Sequence, residues 1–179
     1  ARFTLQTLPV EEYPTLPDMP SQTGDVDAAL FEKAVGQVFV AAGRDELLNV
    51  FTGVKVEING ESLSLLATDR YRMALKELTW HPSSPSVEGA VLVPGKVLAD
   101  TAKSMTSGDK VTISLSTTEA EGEGLAGFIG QSSKGTREAT TRLLSQAFPK
   151  VRHLMDVDAT VSVRVNTGDL LSAVKRVSL

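Results

Sequence analysis

Cysteine is absent from the 179 residues, and histidine occurs only twice. The first absence excludes a disulfide framework and every zinc site built on thiolates; the second argues against a His-rich metal site. A reducing, cytoplasmic setting is the corresponding expectation. No apolar run approaches the roughly 20 residues needed to span a bilayer, and the opening residues do not read as a signal peptide. An excess of positive charge is also lacking. The formal net charge of −4 speaks against a compact, strongly basic nucleic-acid domain, although basic residues can still gather on one surface of an acidic protein. Catalytic groups are scarce: neither His81, beside Trp80, nor His153 stands in a Ser/Asp frame that suggests a triad.

What is present is enough for one full domain with a sizeable core, plus remnants of others, since 41% of the residues are hydrophobic. Residues 3–8 alternate apolar with polar and predict a strand. Pro9, Pro14, Pro17 and Pro20 then mark an extended linker and a domain boundary near residue 20. A helix is expected over 27–42, with Asp27 as N-cap, Gly43 as stop, and Leu30, Phe31, Ala34, Val35, Val38, Ala41 and Ala42 at helical spacing. Strands follow at 51–58, 62–68 and 71–78, the first pair joined by Asn59-Gly60, a strong hairpin signal. After a Pro/Ser loop, a strand at 87–93 runs through Pro94 into a helix at 95–105, with Val97, Leu98, Thr101, Ala102 and Met105 on one face. Three more strands are expected at 111–116, 125–131 and 136–144, and an amphipathic helix from Asp169 to the end.

The two halves of this stretch match, each running strand, helix, then three antiparallel strands, so a βαβββ unit used twice makes one domain. A longer repeat is also visible. Val26, Phe31, Ala34, Val35 and Val38 recur at identical spacing as Val165, Leu170, Ala173, Val174 and Val177, and Tyr13-Pro14 precedes one helix as Phe148-Pro149 precedes the other. The expected organisation is the end of one domain and a linker in 1–20, a complete domain in 21–150, and a linker with the start of a third domain in 151–179. The abrupt ends suggest a segment of a longer protein.

Two nucleotide motifs fail on context. Gly122-Glu123-Gly124-Leu125-Ala126-Gly127 spells GxGxxG, but an acidic loop (Glu119, Glu121, Glu123) precedes it and a strand follows, where the dinucleotide fingerprint needs strand before and helix after. Gly89 to Lys96 has the wrong glycine spacing for a phosphate loop, and Val97 stands where a hydroxyl should hold magnesium. Asp69 and Arg72 could in principle serve a small-molecule enzyme with a cleft around them. In a tight turn, however, Asp69 is expected to hydrogen-bond the backbone.

The stretch Leu65-Leu66-Ala67-Thr68-Asp69-Arg70-Tyr71-Arg72-Met73-Ala74 is organised differently from an ordinary bend. It passes from strand to strand through a turn made of an acid, two arginines and a tyrosine, and Arg and Tyr are enriched where proteins meet partners. Here the sequence resembles the bacterial DNA sliding clamp family, the beta subunit of DNA polymerase III, whose members carry A-T-D-x-x-R-hydrophobic-A at this place. Val91-Leu92-Val93-Pro94 and Phe148-Pro149 match as well. Ala41-Ala42-Gly43-Arg44-Asp45 and the segment from Leu8 to Pro14 are similar to actinobacterial clamps in particular.

The resemblance implies an α+β DNA-clamp fold, with tandem domains each of two βαβββ units, helices lining a ring and sheets outside. It implies no catalysis and no cofactor. The expected partners are double-stranded DNA held without sequence preference, the polymerase catalytic subunit, the clamp loader, repair proteins with short linear motifs, and a second copy forming a homodimer. DNA-facing candidates are Lys33, Arg44, Lys96, Lys103, Lys175 and Arg176. A peptide-binding groove is implied for Phe51, Thr68, Arg70, Tyr71, Arg72, Met73, Pro149 and Leu154. Many members have Gly-His where this chain has Arg70-Tyr71.

Overall fold

The computed structural model describes residues 3–4, 6–15, 17–116 and 124–178, without the side chain of Gln22. The chain divides into two compact units, Ala1–Phe148 and Pro149–Leu179. In the first, β1 (Gln22–Asp27) leads into α1 (Ala28–Phe39), a short α2 (Asn49–Thr52), then β2 (Gly53–Asn59), β3 (Ser62–Thr68) and β4 (Met73–Thr79). A two-residue β5 (His81–Pro82) precedes β6 (Glu88–Pro94), α3 (Gly95–Ser104), β7 (Lys110–Leu115), β8 (Leu125–Ser132) and β9 (Gly135–Arg142).

Helix α1 starts where an oxygen acceptor is available: Asp27 Oδ1 accepts the Leu30 N–H at 2.7 Å. Phe31, Ala34, Val35 and Val38 form one apolar stripe and are buried, as the spacing predicts. In α3 the buried set is Gly95, Leu98, Ala99, Thr101 and Ala102, while Lys96, Val97 and Lys103 are exposed. Val97 therefore leaves the apolar face on which the sequence reading placed it. The two helices pack against each other, and each touches strands of both sheets. Their remaining exposed stripes, with Lys33 on α1 and Lys96 and Lys103 on α3, thus point away from the core.

The sheets are antiparallel, with orders β5-β1-β7-β8-β9 and β4-β3-β2-β6. Each half of the repeat lends its first strand to the other half's sheet. β1 pairs β7 (Val26 opposite Val111), and β6 pairs β2 (Val91 opposite Val56). The core lies around the helices, where Phe31 of α1 stacks on Phe128 of β8 with centroids 6.1 Å apart.

Trp80 closes one end. It is 2% exposed and its Nε1–H donates to the Gly60 carbonyl at 2.9 Å, tying the end of β4 to the β2–β3 hairpin. Its ring also lies against β1, where a Cβ on Gly24 would stand 2.5 Å from Trp80 Cζ3; no other residue type fits there. Asp25 fastens β1 to β7 through Lys110 Nζ at 2.7 Å and Thr112 Oγ1 at 2.5 Å. Burial pushes the Asp25 carboxyl up, but these hydrogen bonds and the Lys110 charge outweigh it and hold the group below its usual range.

Several expectations need correction. Residues 3, 4 and 6–8 form no strand, and Phe3 and Leu8 are exposed. No ladder partner is available to them among the described residues, and an unpaired strand is not stable in water. The strand that opens the first half is instead 22–27, which periodicity misses because Val26 is its only large apolar residue. The strands expected from 51 and 71 start at Gly53 and Met73, since residues 49–52 are helical and 69–72 make the turn. The Asn59-Gly60 hairpin forms, but Asn59 pairs with Ser62, so Gly60 and Glu61 are the central residues. Positive φ at Gly60 alone is the type II′ pattern.

Residues 117–123, which hold Glu119 and Glu121 of the acidic loop and Gly122 and Glu123 of the GxGxxG motif, lie outside the described residues. Its second part opens strand β8, not a helix, which removes the dinucleotide geometry. Likewise Gly89 lies within strand β6, which runs directly into α3.

The second unit has a 3-10 turn, Arg152–Met155, and helix α4 (Thr167–Val177). Asn166 caps α4, its Oδ1 accepting the Gly168 and Asp169 N–H groups at 2.8 and 3.3 Å, as Asp27 caps α1. Among the described residues no helix is long and apolar enough to cross a membrane.

One consequence for stability arises at Gly36, on the exposed side of α1 with open space beyond its Cα. Gly36→Ala is expected to stabilise the fold by about 0.5–1 kcal/mol, because the alanine loses less backbone entropy in a helix. Urea denaturation followed by circular dichroism checks this; a lowered midpoint would contradict it.

Candidate functional site

The turn between β3 and β4 is built by its own side chains. Thr68 stands opposite Met73 in the ladder, leaving Asp69, Arg70, Tyr71 and Arg72 to reverse the chain. Asp69 Oδ1 accepts the backbone N–H groups of Tyr71 and Arg72 at 3.1 and 3.0 Å, and Oδ2 accepts Arg72 Nε at 3.0 Å. The Thr68 hydroxyl donates to the Arg72 carbonyl at 2.7 Å and accepts from the Arg70 N–H at 3.1 Å. Somewhere in so tight a bend φ must become positive, and Arg70 takes it, at +81°. It is the one non-glycine residue with positive φ among the described residues.

The Asp69 carboxyl is held below its usual range, chiefly by the Arg72 backbone hydrogen bond and against the partial loss of water around it, with the Tyr71 N–H and the Arg72 side chain adding to the lowering. A carboxylate that is easier to ionise and has both oxygens occupied is a poor general base. The enzyme alternative around Asp69 and Arg72 therefore finds no support in the turn.

Beside the turn lies the loop that follows α1. Ala41 and Ala42 are buried, the Gly43 N–H donates to the Phe51 carbonyl at 2.7 Å, and Asp45 accepts the Leu47 N–H at 2.9 Å to start a 3-10 turn. These bonds fold 43–52 back against 69–72. Between the two segments is a groove of about 390 Å³, lined by Ala42, Gly43, Arg44, Asp45, Leu48, Phe51, Asp69, Arg70, Tyr71 and Arg72. The Arg70 guanidinium stands 5.8 Å from the ring centroids of both Phe51 and Tyr71, and Tyr71 is 89% exposed.

Of the residues expected at such a groove, Phe51, Arg70, Tyr71 and Arg72 line it together. Thr68 is 5% exposed and its hydroxyl bonds inside the turn, so it shapes the wall without lining the cavity. Met73 is half-buried in β4 and also outside the lining. Pro149 and Leu154 belong to the second unit. Arg44, which the resemblance implied as DNA-facing, lines the groove. Lys33 and Lys103 are exposed on their helices, Lys96 is exposed and pairs with Asp100 at 3.2 Å, and Lys175 and Arg176 are exposed on α4. Sequence reasoning missed Ala42, Gly43, Asp45 and Leu48 as lining residues; the one signal for them was the AAGRD stretch, which points to a loop and not to what it faces.

A family model described as the DNA polymerase III beta subunit, central domain, matches residues 25–150. The chain belongs to this family. The beta sliding clamp of Streptomyces coelicolor is 50% identical over 179 residues, covering 100% of this chain and 46% of that protein. The beta sliding clamp of Micrococcus luteus is 41% identical over 179 residues, covering 100% of this chain and 55% of that protein. The chain thus spans about half the length of the curated relatives it matches, and both named relatives are actinobacterial, as the loop and linker residues implied. A crystal structure of the DNA polymerase sliding clamp from Bacillus subtilis superposes with a TM-score of 0.80 at 27% identity, covering 96% of this chain and 43% of that one. The two-sheet α+β architecture of the first unit is accordingly that of the sliding clamps.

Proposed function

We propose that the chain is the middle portion of a sliding clamp, a non-catalytic ring that encircles duplex DNA and holds a replicative polymerase on it. In this reading residues 1–20 end the first clamp domain and lead out of it, 21–150 form the middle domain, and 151–179 begin the third. Two copies of the full-length protein close the ring head to tail. What carries the reading is the match of residues 25–150 to the central-domain family, together with a groove at its characteristic turn.

The parts divide the work by chemistry. The exposed stripes of α1 and α3, with Lys33 and Lys103, face the DNA and meet phosphates; such contacts carry no sequence information and permit sliding. Lys96 contributes less, because Asp100 lies beside it on the same helix. The Phe51–Tyr71 groove takes a short peptide with Leu or Phe anchors from the polymerase, the clamp loader or a repair protein. The work is carried out in the cytoplasm.

Retention on DNA tests this directly. Full-length protein assembled on nicked circular DNA by a clamp loader is expected to stay with the circle through gel filtration at high salt, and to run off once the DNA is cut. Release from the intact circle at the same rate as from the linear form, or elution of the free protein as a monomer at micromolar concentration, would sink the ring.

A further inference from the structure

The proline-marked segment ahead of β1 is pinned to the sheet by a sulfur atom. Across β7, β8 and β9 the residues Ser114, Gly127 and Thr140 stand in one row of the ladder. Ala126 and Phe128, the neighbours of Gly127, are buried in the core, so the row lies on the opposite face of the sheet. Its outer side chains are short and its middle one is missing, which leaves a notch. Met19 fills that notch. A Cβ on Gly127 would stand 1.9 Å from Met19 Sδ, 3.2 Å from Met19 Cγ and 3.3 Å from Pro20 Cδ. The sulfur thus occupies the place of the side chain that Gly127 lacks, and the Thr140 hydroxyl donates to it at 3.8 Å. Upstream, Leu8, Val10 and Tyr13 are exposed, whereas Met19 and Pro20 are half-buried.

The chain has four methionines, in different settings. Met105 is buried in the core and shielded from solvent. Met155 is exposed in the 3-10 turn of the second unit, where an added oxygen would meet water. Met73 is half-buried in β4. Met19 combines partial access to solvent with a sulfur that is itself the packed and hydrogen-bonded atom. A thioether suits this seat because it is apolar, polarizable and flexible. A sulfoxide does not. An oxygen added on the open side of the sulfur draws charge from it, so that it ceases to accept from Thr140. On the closed side, between the sulfur and the Thr140 hydroxyl, a bonded oxygen has no room.

We propose that Met19 is a reversible oxidation site at which a peroxide releases the segment before β1 from the sheet. In the step a sulfur lone pair attacks one peroxide oxygen, an S–O bond forms and the O–O bond breaks. The sulfur gives up two electrons, and with hydrogen peroxide the second oxygen leaves as water. The product is methionine sulfoxide, polar and chiral, which sulfoxide reductases return to the thioether. Its dipole is better satisfied by water than by a notch lined by Gly127 and Pro20, so the segment lifts.

Native digestion of the full-length protein tests this. Endoproteinase Asp-N cuts before Asp18, which is exposed and adjoins Met19. The protein is treated with dilute hydrogen peroxide and quenched, and mass spectrometry follows both the Met19 sulfoxide and the cut at Asp18. A free peptide of residues 11–24, with and without the sulfoxide, supplies the intrinsic cleavage rates. Relative to these, oxidation is expected to speed the cut in the protein about five-fold, since cleavage tracks the population of the opened segment. Treatment with methionine sulfoxide reductases is expected to restore the starting rate. Met19→Leu, close in volume, should stay seated and be cut at a rate that peroxide does not change. Gly127→Ala, whose methyl takes the sulfur's place, should be cut without peroxide at about the rate of the oxidised parent; circular dichroism confirms its fold. A parent that carries the Met19 sulfoxide but shows no faster cut would overturn the proposal. So would a Met19 that stays reduced while Met155 is oxidised. An acceleration that persists in Met19→Leu would assign the effect to another methionine and overturn it as well.

Discussion

Phe51→Ala combined with Tyr71→Ala is expected to weaken binding of a Leu/Phe-anchored peptide by about 2–4 kcal/mol, roughly 30- to 1,000-fold in Kd. The two rings are the large aromatic surfaces of the groove, and Arg70 lies over both. Truncated aromatic anchors at the centre of a recognition site cost about 2 kcal/mol or more each, with less than full additivity when they share one pocket. Tyr71 is 89% exposed, so its removal leaves the fold intact and the loss appears in binding alone. Phe51 is half-buried and its backbone carbonyl accepts the Gly43 N–H, a bond that an alanine keeps. Titration calorimetry on the single and double variants separates the contributions. An affinity unchanged within a factor of about two in the double variant would remove the groove from the peptide-docking role.

The second large effect concerns stability. Trp80→Ala is expected to cost about 3–5 kcal/mol of unfolding free energy, the usual range for deleting a buried aromatic side chain. Three elements meet on that ring: β4, whose last residue Thr79 it directly follows, the β2–β3 hairpin whose Gly60 carbonyl it holds at 2.9 Å, and β1, where Gly24 leaves room for it. Whole domains are stable by only about 5–15 kcal/mol, so the variant should unfold at a much lower urea concentration. Trp80 is the only tryptophan in the chain, so circular dichroism must replace intrinsic tryptophan fluorescence as the probe. A loss below about 1 kcal/mol would show that the site collapses around the gap and that Trp80 is not the clasp described above.

Some of the site was legible before any coordinates. The Thr68–Met73 stretch announces itself because its residue types are wrong for a bend whose only task is to turn, and Asp69 is a residue that hydrogen-bonds its own turn. Both readings depend on groups within four residues of each other. The place of Arg44 in the groove lining was not legible, for the opposite reason. Nothing near it in the chain says that the Gly43–Phe51 backbone bond will fold its loop against a turn some 25 residues further on. The strand at 22–27 went unseen because it is polar along most of its length, its place in the sheet coming from β7 and from Asp25's contacts with Lys110 and Thr112.

The sequence by itself determined which faces are buried, where chains reverse and where the first helix is capped: the Phe31–Val38 stripe, the Asn59-Gly60 hairpin, the Asp27 cap, and the family to which residues 25–150 belong. These are short-range choices, set by side-chain periodicity and by hydrogen bonds within a turn. Only the tertiary structure decided that each half of the repeat gives its first strand to the other, that Arg44 joins Arg70 at one groove, and that Arg70 bears the turn's positive φ. The ladder between strands is made of backbone groups that are the same in every residue, so pairing across 85 positions, as between Asp25 and Lys110, leaves little trace in local pattern.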